Sequence, residues 1–219
     1  MSASSQAAGA APTESIPALA WNQEIEQWEG TIALPEWQDF NQGTGVWKTI
    51  RAATLSRRRK REKASNQLMD HYPPPAGPTE LVVEGRAGQP APSPAQVAAY
   101  HWLLAHEAGL LAAVLAAFKE NWSEILNTYD FADRMPERHS LPLRLRSPEE
   151  LCGLLELHTL YLKEAHTAGL AHVGLALSSW DPEHGQGVYA CGSTVLGIGS
   201  GDLAFGDLGA AFLFRQSAE

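Results

Sequence analysis

The densest set of side chains able to do chemistry is the stretch at residues 180–188, Trp-Asp-Pro-Glu-His-Gly-Gln-Gly-Val. It sets two carboxylates, Asp181 and Glu183, beside the imidazole of His184. Such a trio could ligate a metal or share general acid–base work, with Asp202 brought close across the last hairpin as a fourth member. Alternating residues of one turn do not all aim at one point, however, and metal ligands are usually drawn from separate elements. A turn held by Trp180, Gly185 and Gly187, with the polar groups bonded to backbone or facing a partner, accounts for the same letters. No metal ligand set, catalytic residue or cofactor is assigned from the sequence.

Other chemistry-bearing residues point less far. His101, His106 and Glu107 share one segment, but the two histidines are five residues apart rather than the four that would bring both to one metal. Gly197, Gly199 and Gly201 look like a phosphate loop in letters only, because no capped helix follows them. Ser178, Ser179, Ser193 and Ser200 include no nucleophile elbow. Cys152 and Cys191 form neither a redox pair nor a metal motif and read as reduced, half-buried thiols.

Charge is distributed unevenly. The formal net charge is -9, yet Arg57, Arg58, Arg59, Lys60, Arg61 and Lys63 against Glu62 make a short basic run, which leaves the rest of the chain at -14. A nucleic-acid backbone could be clamped by that run, but an isolated basic run in an acidic protein reads first as a solvated loop. The acidic remainder favours a basic protein partner.

The elements that must position these groups can be read in turn. Residues 1–18 are rich in Ala, Ser, Gly and Pro and read as a disordered tail, followed by one domain over 19–219. Trp21, Trp28, Ile32, Leu34, Trp37, Phe40 and Trp47 suggest short strands and turns. Residues 48–78, basic and then Pro-rich, read as an exposed insertion. Residues 79–84 predict a strand. Ser93, Pro94 and Gln96 predict a capped helix start, with an apolar stripe of Val97, Tyr100, Leu104, Leu111, Val114, Leu115 and Phe118 running to about residue 121. Ser147-Pro148 opens a short second helix ending near residue 153. Strands then follow over 155–162, 170–177, 186–190 and 194–198, joined by gaps that suit antiparallel neighbours. The fold expected is α+β, an antiparallel sheet packed on one long amphipathic helix.

No uninterrupted apolar run reaches the length of a membrane span, and the first twenty residues lack the basic start and apolar core of a secretory signal. A cytoplasmic address is expected.

The pattern W-D-x-E-H-G-x-G-V at 180–188, Gly192, and G-x-G-D-x-A-F at 199–205, with W-x-G-x-I-x-L-P-x-W at 28–37 and the Pro-Ser-Pro-x-Gln helix start at 92–96, resembles an uncharacterised bacterial domain family of unknown function. Its members carry W-D-x-E-H-G-L-G-V near their C-termini. Gln186 departs from the usual Leu, Ser178-Ser179 from a common Gly-Cys, and the 48–78 insertion is extra. The relatives are often small acidic proteins near toxin–immunity or secretion-system genes. The resemblance therefore implies a non-enzymatic immunity or inhibitor-like protein that neutralises a basic effector, with Asp181, Glu183, His184 and Asp202 as partner-binding candidates.

Overall fold

The computed structural model describes residues 15–40, 78–85, 88–128, 141–164, 170–179 and 185–206. Seven strands form one sheet in sequential order: β1 (Ala20–Asn22), β2 (Gln27–Ile32), β3 (Thr79–Glu84), β4 (Glu156–Leu162), β5 (His172–Ser178), β6 (Gln186–Cys191) and β7 (Thr194–Gly199). Among the described residues, two α-helices, α1 (Pro94–Glu120) and α2 (Trp122–Thr128), lie between β3 and β4. The fold is thus mixed α+β.

Every neighbouring pair of strands is antiparallel except β3–β4, which runs parallel with Leu81 opposite Leu160 and Val83 opposite Leu162. An all-antiparallel sheet is corrected at this one join. The cause is the connection: a chain leaving β3 and travelling the length of α1 returns to the end from which β3 started, and a crossover of that kind makes parallel neighbours. The antiparallel pairs β1–β2 and β6–β7 are joined by tight turns, whereas the antiparallel neighbours β2 and β3 are separated by residues 33–78.

Alternation along the strands gives the sheet an apolar face of Leu81, Val83, Leu160, Leu162, Val173, Leu175, Leu177, Val188 and Ala190, all buried. These share a core with Leu103, Leu110, Val114 and Phe118 of α1 and with Trp37 and Phe40 of a 3-10 turn (Pro35–Phe40). α1 meets β7, β4 and the 3-10 turns 35–40 and 148–153. The packed chain begins ahead of β1, because Ile16 is buried in the same cluster.

The start of α1 forms as its letters dictate. Ser93 accepts a hydrogen bond from the Gln96 backbone N–H, the Gln96 side chain accepts from Ser93 N–H, and Pro94 occupies the first turn. Its buried face differs from the one expected. Leu103 and Leu110 point inward, while Leu104 is exposed and Leu111 only half-buried. Leu103-Leu104, Leu110-Leu111 and Val114-Leu115 are apolar doublets, so two adjacent stripes score alike and periodicity alone cannot choose between them. The helix is also broken at His106 (φ -128°, ψ 15°). There Nδ1 of His106 donates to the Trp102 carbonyl at 2.8 Å, and the two rings stack at 4.7 Å.

After Asn121 the chain re-enters helix as α2, which the sequence reading did not separate. The expected second helix is instead a 3-10 turn, Pro148–Gly153. Ser147 makes no side-chain cap there. Its hydroxyl is bonded to the Glu149 carboxylate, which, with a backbone N–H, holds that group below the usual glutamate range.

By length and composition α1 is apolar enough to cross a membrane. Its Leu103, Leu110, Val114 and Phe118 nevertheless lie in the core cluster they share with the sheet.

Candidate functional site

The second face of the sheet is the chemically interesting one. Strand alternation sends Glu80, Val82 and Glu84 of β3, Thr159 and Tyr161 of β4 with Lys163 after it, His172 and Gly174 of β5, and Tyr189 and Cys191 of β6 to this side. A 3-10 turn, Gly201–Ala204, lies across it. Two glycines make that cover possible. A Cβ on Gly174 would overlap the Ala204 carbonyl, and one on Gly187 would overlap the Ser200 carbonyl.

Three polar groupings occupy this face. In the first, His158 Nδ1 lies 2.8 Å from Thr159 Oγ1, whose hydroxyl donates to Glu80 Oε2 at 2.7 Å. Desolvation lowers the His158 pKa against the opposing pull of Glu80. In the second, the nearly buried Lys163 ammonium contacts Glu84 Oε1 at 2.9 Å and donates to the Phe205 carbonyl at 2.6 Å. Phe205 itself packs on Tyr161, ring centroids 5.9 Å apart. This grouping ties the turn 201–204 to the sheet.

The third grouping joins a thiol, an imidazole and a phenol. His172 and Cys191 are direct register partners on β5 and β6, and Cys191 Sγ lies 3.3 Å from His172 Nε2. Tyr189, two residues back on β6, places its hydroxyl 3.2 Å from His172 Nδ1. His172 is buried and Cys191 half-buried. Desolvation raises the Cys191 pKa, so the sulfur is protonated at neutral pH and needs a base to become a nucleophile.

The residues singled out from sequence fall mostly elsewhere. Trp180, Asp181, Glu183 and His184 lie outside the described residues, as do Arg57, Arg58, Arg59, Lys60, Arg61 and Lys63. Asp202 is described: it is exposed on the turn 201–204, and its backbone carbonyl accepts from Gly206 N–H. Gly185 has φ +64°, whereas Gly187 sits within β6 and is needed for close approach. Among the described residues no group of three or more His, Cys, Asp or Glu is arranged to hold a metal.

Sequence reading missed the Cys191–His172–Tyr189 grouping because its members are 17 and 19 residues apart and form no local motif. A signal existed. Once 170–177 and 186–190 are taken as antiparallel neighbours across a short connection, the register sets 172 opposite 191 and sends 189 to the same face.

The fold and this face define a mixed α+β protein built on a single sheet, apolar on one side and carrying a thiol, imidazoles, phenols and an ion pair on the other. The chain belongs to the family described as Domain of unknown function (DUF6985), whose model matches residues 76–205, from just before β3 to the end of the turn that covers the polar face. No curated protein and no solved structure matches the chain.

Proposed function

We propose that this is a non-enzymatic binding protein of the immunity or inhibitor kind, which captures and neutralises a basic effector protein. The observation that carries this reading is the edge hairpin β1–β2. Trp21 and Ile25 are exposed there, 39% and 51%, and the same hairpin bears Glu24, Glu26 and Glu29. No Lys or Arg occurs anywhere from residue 15 to residue 40. Exposed aromatic and aliphatic anchors rimmed by one sign of charge are what a steered protein interface requires. Trp21 is held for this by a tilted ring contact with Trp28, centroids 4.7 Å apart at 60°, and by resting against Gly85.

On this reading α1 serves as the cover of the sheet's apolar face, and the hairpin is the open edge. Asp181, Glu183, His184 and Asp202 are proposed as further contacts for the same partner. The resemblance of the W-D-x-E-H-G-x-G-V pattern to a family whose members are often found near toxin–immunity genes supports the choice of a basic effector, and two cysteines outside any disulfide suit a cytoplasmic address.

The test is affinity capture from the native host followed by binding measurements with the captured protein. Trp21→Ala, and separately Glu24→Lys with Glu26→Lys and Glu29→Lys, should each weaken association tenfold or more, the charge reversal acting mainly on the association rate. A partner bound equally well by both variants, or none retained at about 0.15 M salt, overturns the reading.

A further inference from the structure

We propose that Cys191 is a site of covalent thiol modification, taking up one half of a small-molecule disulfide, with His172 as the base that activates it. The sulfur is half-buried at the last position of β6, just ahead of the tight turn at Gly192, and so remains open to a small reagent. His172 Nε2 lies 3.3 Å from it. Tyr189 completes the arrangement from the far side of the ring. In the tautomer whose Nδ1–H donates to the Tyr189 oxygen, Nε2 carries the lone pair that faces the thiol, and this is the tautomer the proposal requires.

The chemistry follows from what surrounds the sulfur. Acyl transfer would require N–H donors aimed at a developing oxyanion. The Gly192 N–H beside Cys191 is already given to the Ala171 carbonyl at 2.7 Å. Disulfide exchange places its developing charge on sulfur and requires only a base and access. Nε2 takes the proton as Cys191 Sγ attacks one sulfur of the disulfide. The old S–S bond breaks as the new one forms, and the leaving thiolate takes the proton from the imidazolium. The products are a mixed disulfide on Cys191 and one free small thiol, with no change in total oxidation state.

Glutathione disulfide serves as the probe, on the full chain carrying Cys152→Ser so that Cys191 is the one reactive thiol. Mass spectrometry should show a single adduct on Cys191, formed faster in the folded protein than in the same protein unfolded in urea at the same pH. His172→Asn should slow the reaction tenfold or more, since a positioned base is ordinarily worth about 100-fold or above, and added imidazole should restore part of the rate. Tyr189→Phe should slow it less. If His172→Asn fails to fold, the folded-against-unfolded comparison decides alone. A folded Cys191 that reacts no faster than the unfolded thiol, or a folded His172→Asn protein that reacts at the parent rate, overturns the proposal.

Discussion

The ammonium of Lys163 lies 2.9 Å from Glu84 Oε1, across the one place where the sheet turns parallel. Glu84 is a junction of several elements. Its other carboxylate oxygen accepts from Glu164 N–H at 2.8 Å, and its backbone carbonyl accepts from the Gln96 side chain at 2.8 Å. One residue thereby connects β3, the segment after β4 and the first turn of α1. Lys163 connects the same point to the Phe205 carbonyl and so to the turn 201–204.

The two partners should not respond alike to substitution. The Lys163 side chain is 5% exposed and that of Glu84 32% exposed. Glu84→Gln leaves a buried cation without its counter-charge and should cost about 3 kcal/mol or more. Lys163→Met leaves a carboxylate that water can reach and should cost about 1–2 kcal/mol. Urea unfolding of both variants checks the order. Equal losses would mean that the ion pair is not what organises this join.

Gly174→Ala should be among the most damaging small substitutions in the protein. Its new methyl group would meet the Ala204 carbonyl, so the turn 201–204 must lift or the strand must bend, at about 1–3 kcal/mol for an overpacked site. Gly88→Ala is the control. Gly88 has φ +80° with open space around it, so only the left-handed backbone is penalised, by about 1 kcal/mol. Limited proteolysis after residue 200 should accelerate for Gly174→Ala and stay unchanged for Gly88→Ala.

Glu107 sits on the inward side of α1, one residue beyond the break at His106. Glu36 N–H reaches its Oε1 at 3.4 Å, and its Oε2 is buried without a partner. Burial raises its pKa, with the Glu36 charge adding to the rise and the Glu36 N–H opposing it. A carboxyl whose folded pKa exceeds its unfolded one costs nothing at low pH, and its penalty grows as pH climbs through the folded value. Glu107→Gln should therefore raise the melting temperature at pH 7 and lose that advantage below the ordinary glutamate range. Thermal melts from about pH 3 to about pH 8, a span that brackets the ordinary glutamate value, test the sign.

Gln96 does two tasks that one capping residue seldom combines. Its amide oxygen accepts from Ser93 N–H at 2.8 Å, while its amide nitrogen donates to Glu84 across the sheet junction. Ser93→Ala should cost about 1 kcal/mol, the usual worth of an N-cap. Gln96→Ala should cost more, because it strips the cap and leaves a carbonyl at the junction unpaired. Equal melting temperatures for the two variants would show that the Glu84 contact adds nothing.

Much of the frame could be read along the chain because it is set locally. The Ser93-Pro94-Gln96 start needs only neighbours in sequence, and it forms as the letters imply. Strands β3 to β7 declare themselves by alternation and by the glycines between them. Local signals stop short wherever two choices satisfy the same pattern. The apolar doublets of α1 left Leu103 and Leu104 equivalent until the sheet supplied a surface for one of them. Ser147-Pro148 has the letters of a helix start, yet the segment closes as a 3-10 turn without a side-chain cap.

The chemistry on the polar face belongs wholly to the second kind. Cys191 reads along the chain only as a lone thiol, and His172 and Tyr189 as single residues of two strands, while Lys163 and Glu84 stand 79 positions apart. What the sequence determined by itself was which segments would be strands and helix, since those depend on side-chain period and capping within a turn or two. Only the tertiary structure decided that β3 and β4 would lie side by side, and hence that Glu84 would meet Lys163, because a crossover through a 27-residue helix brings together strands that no local rule connects.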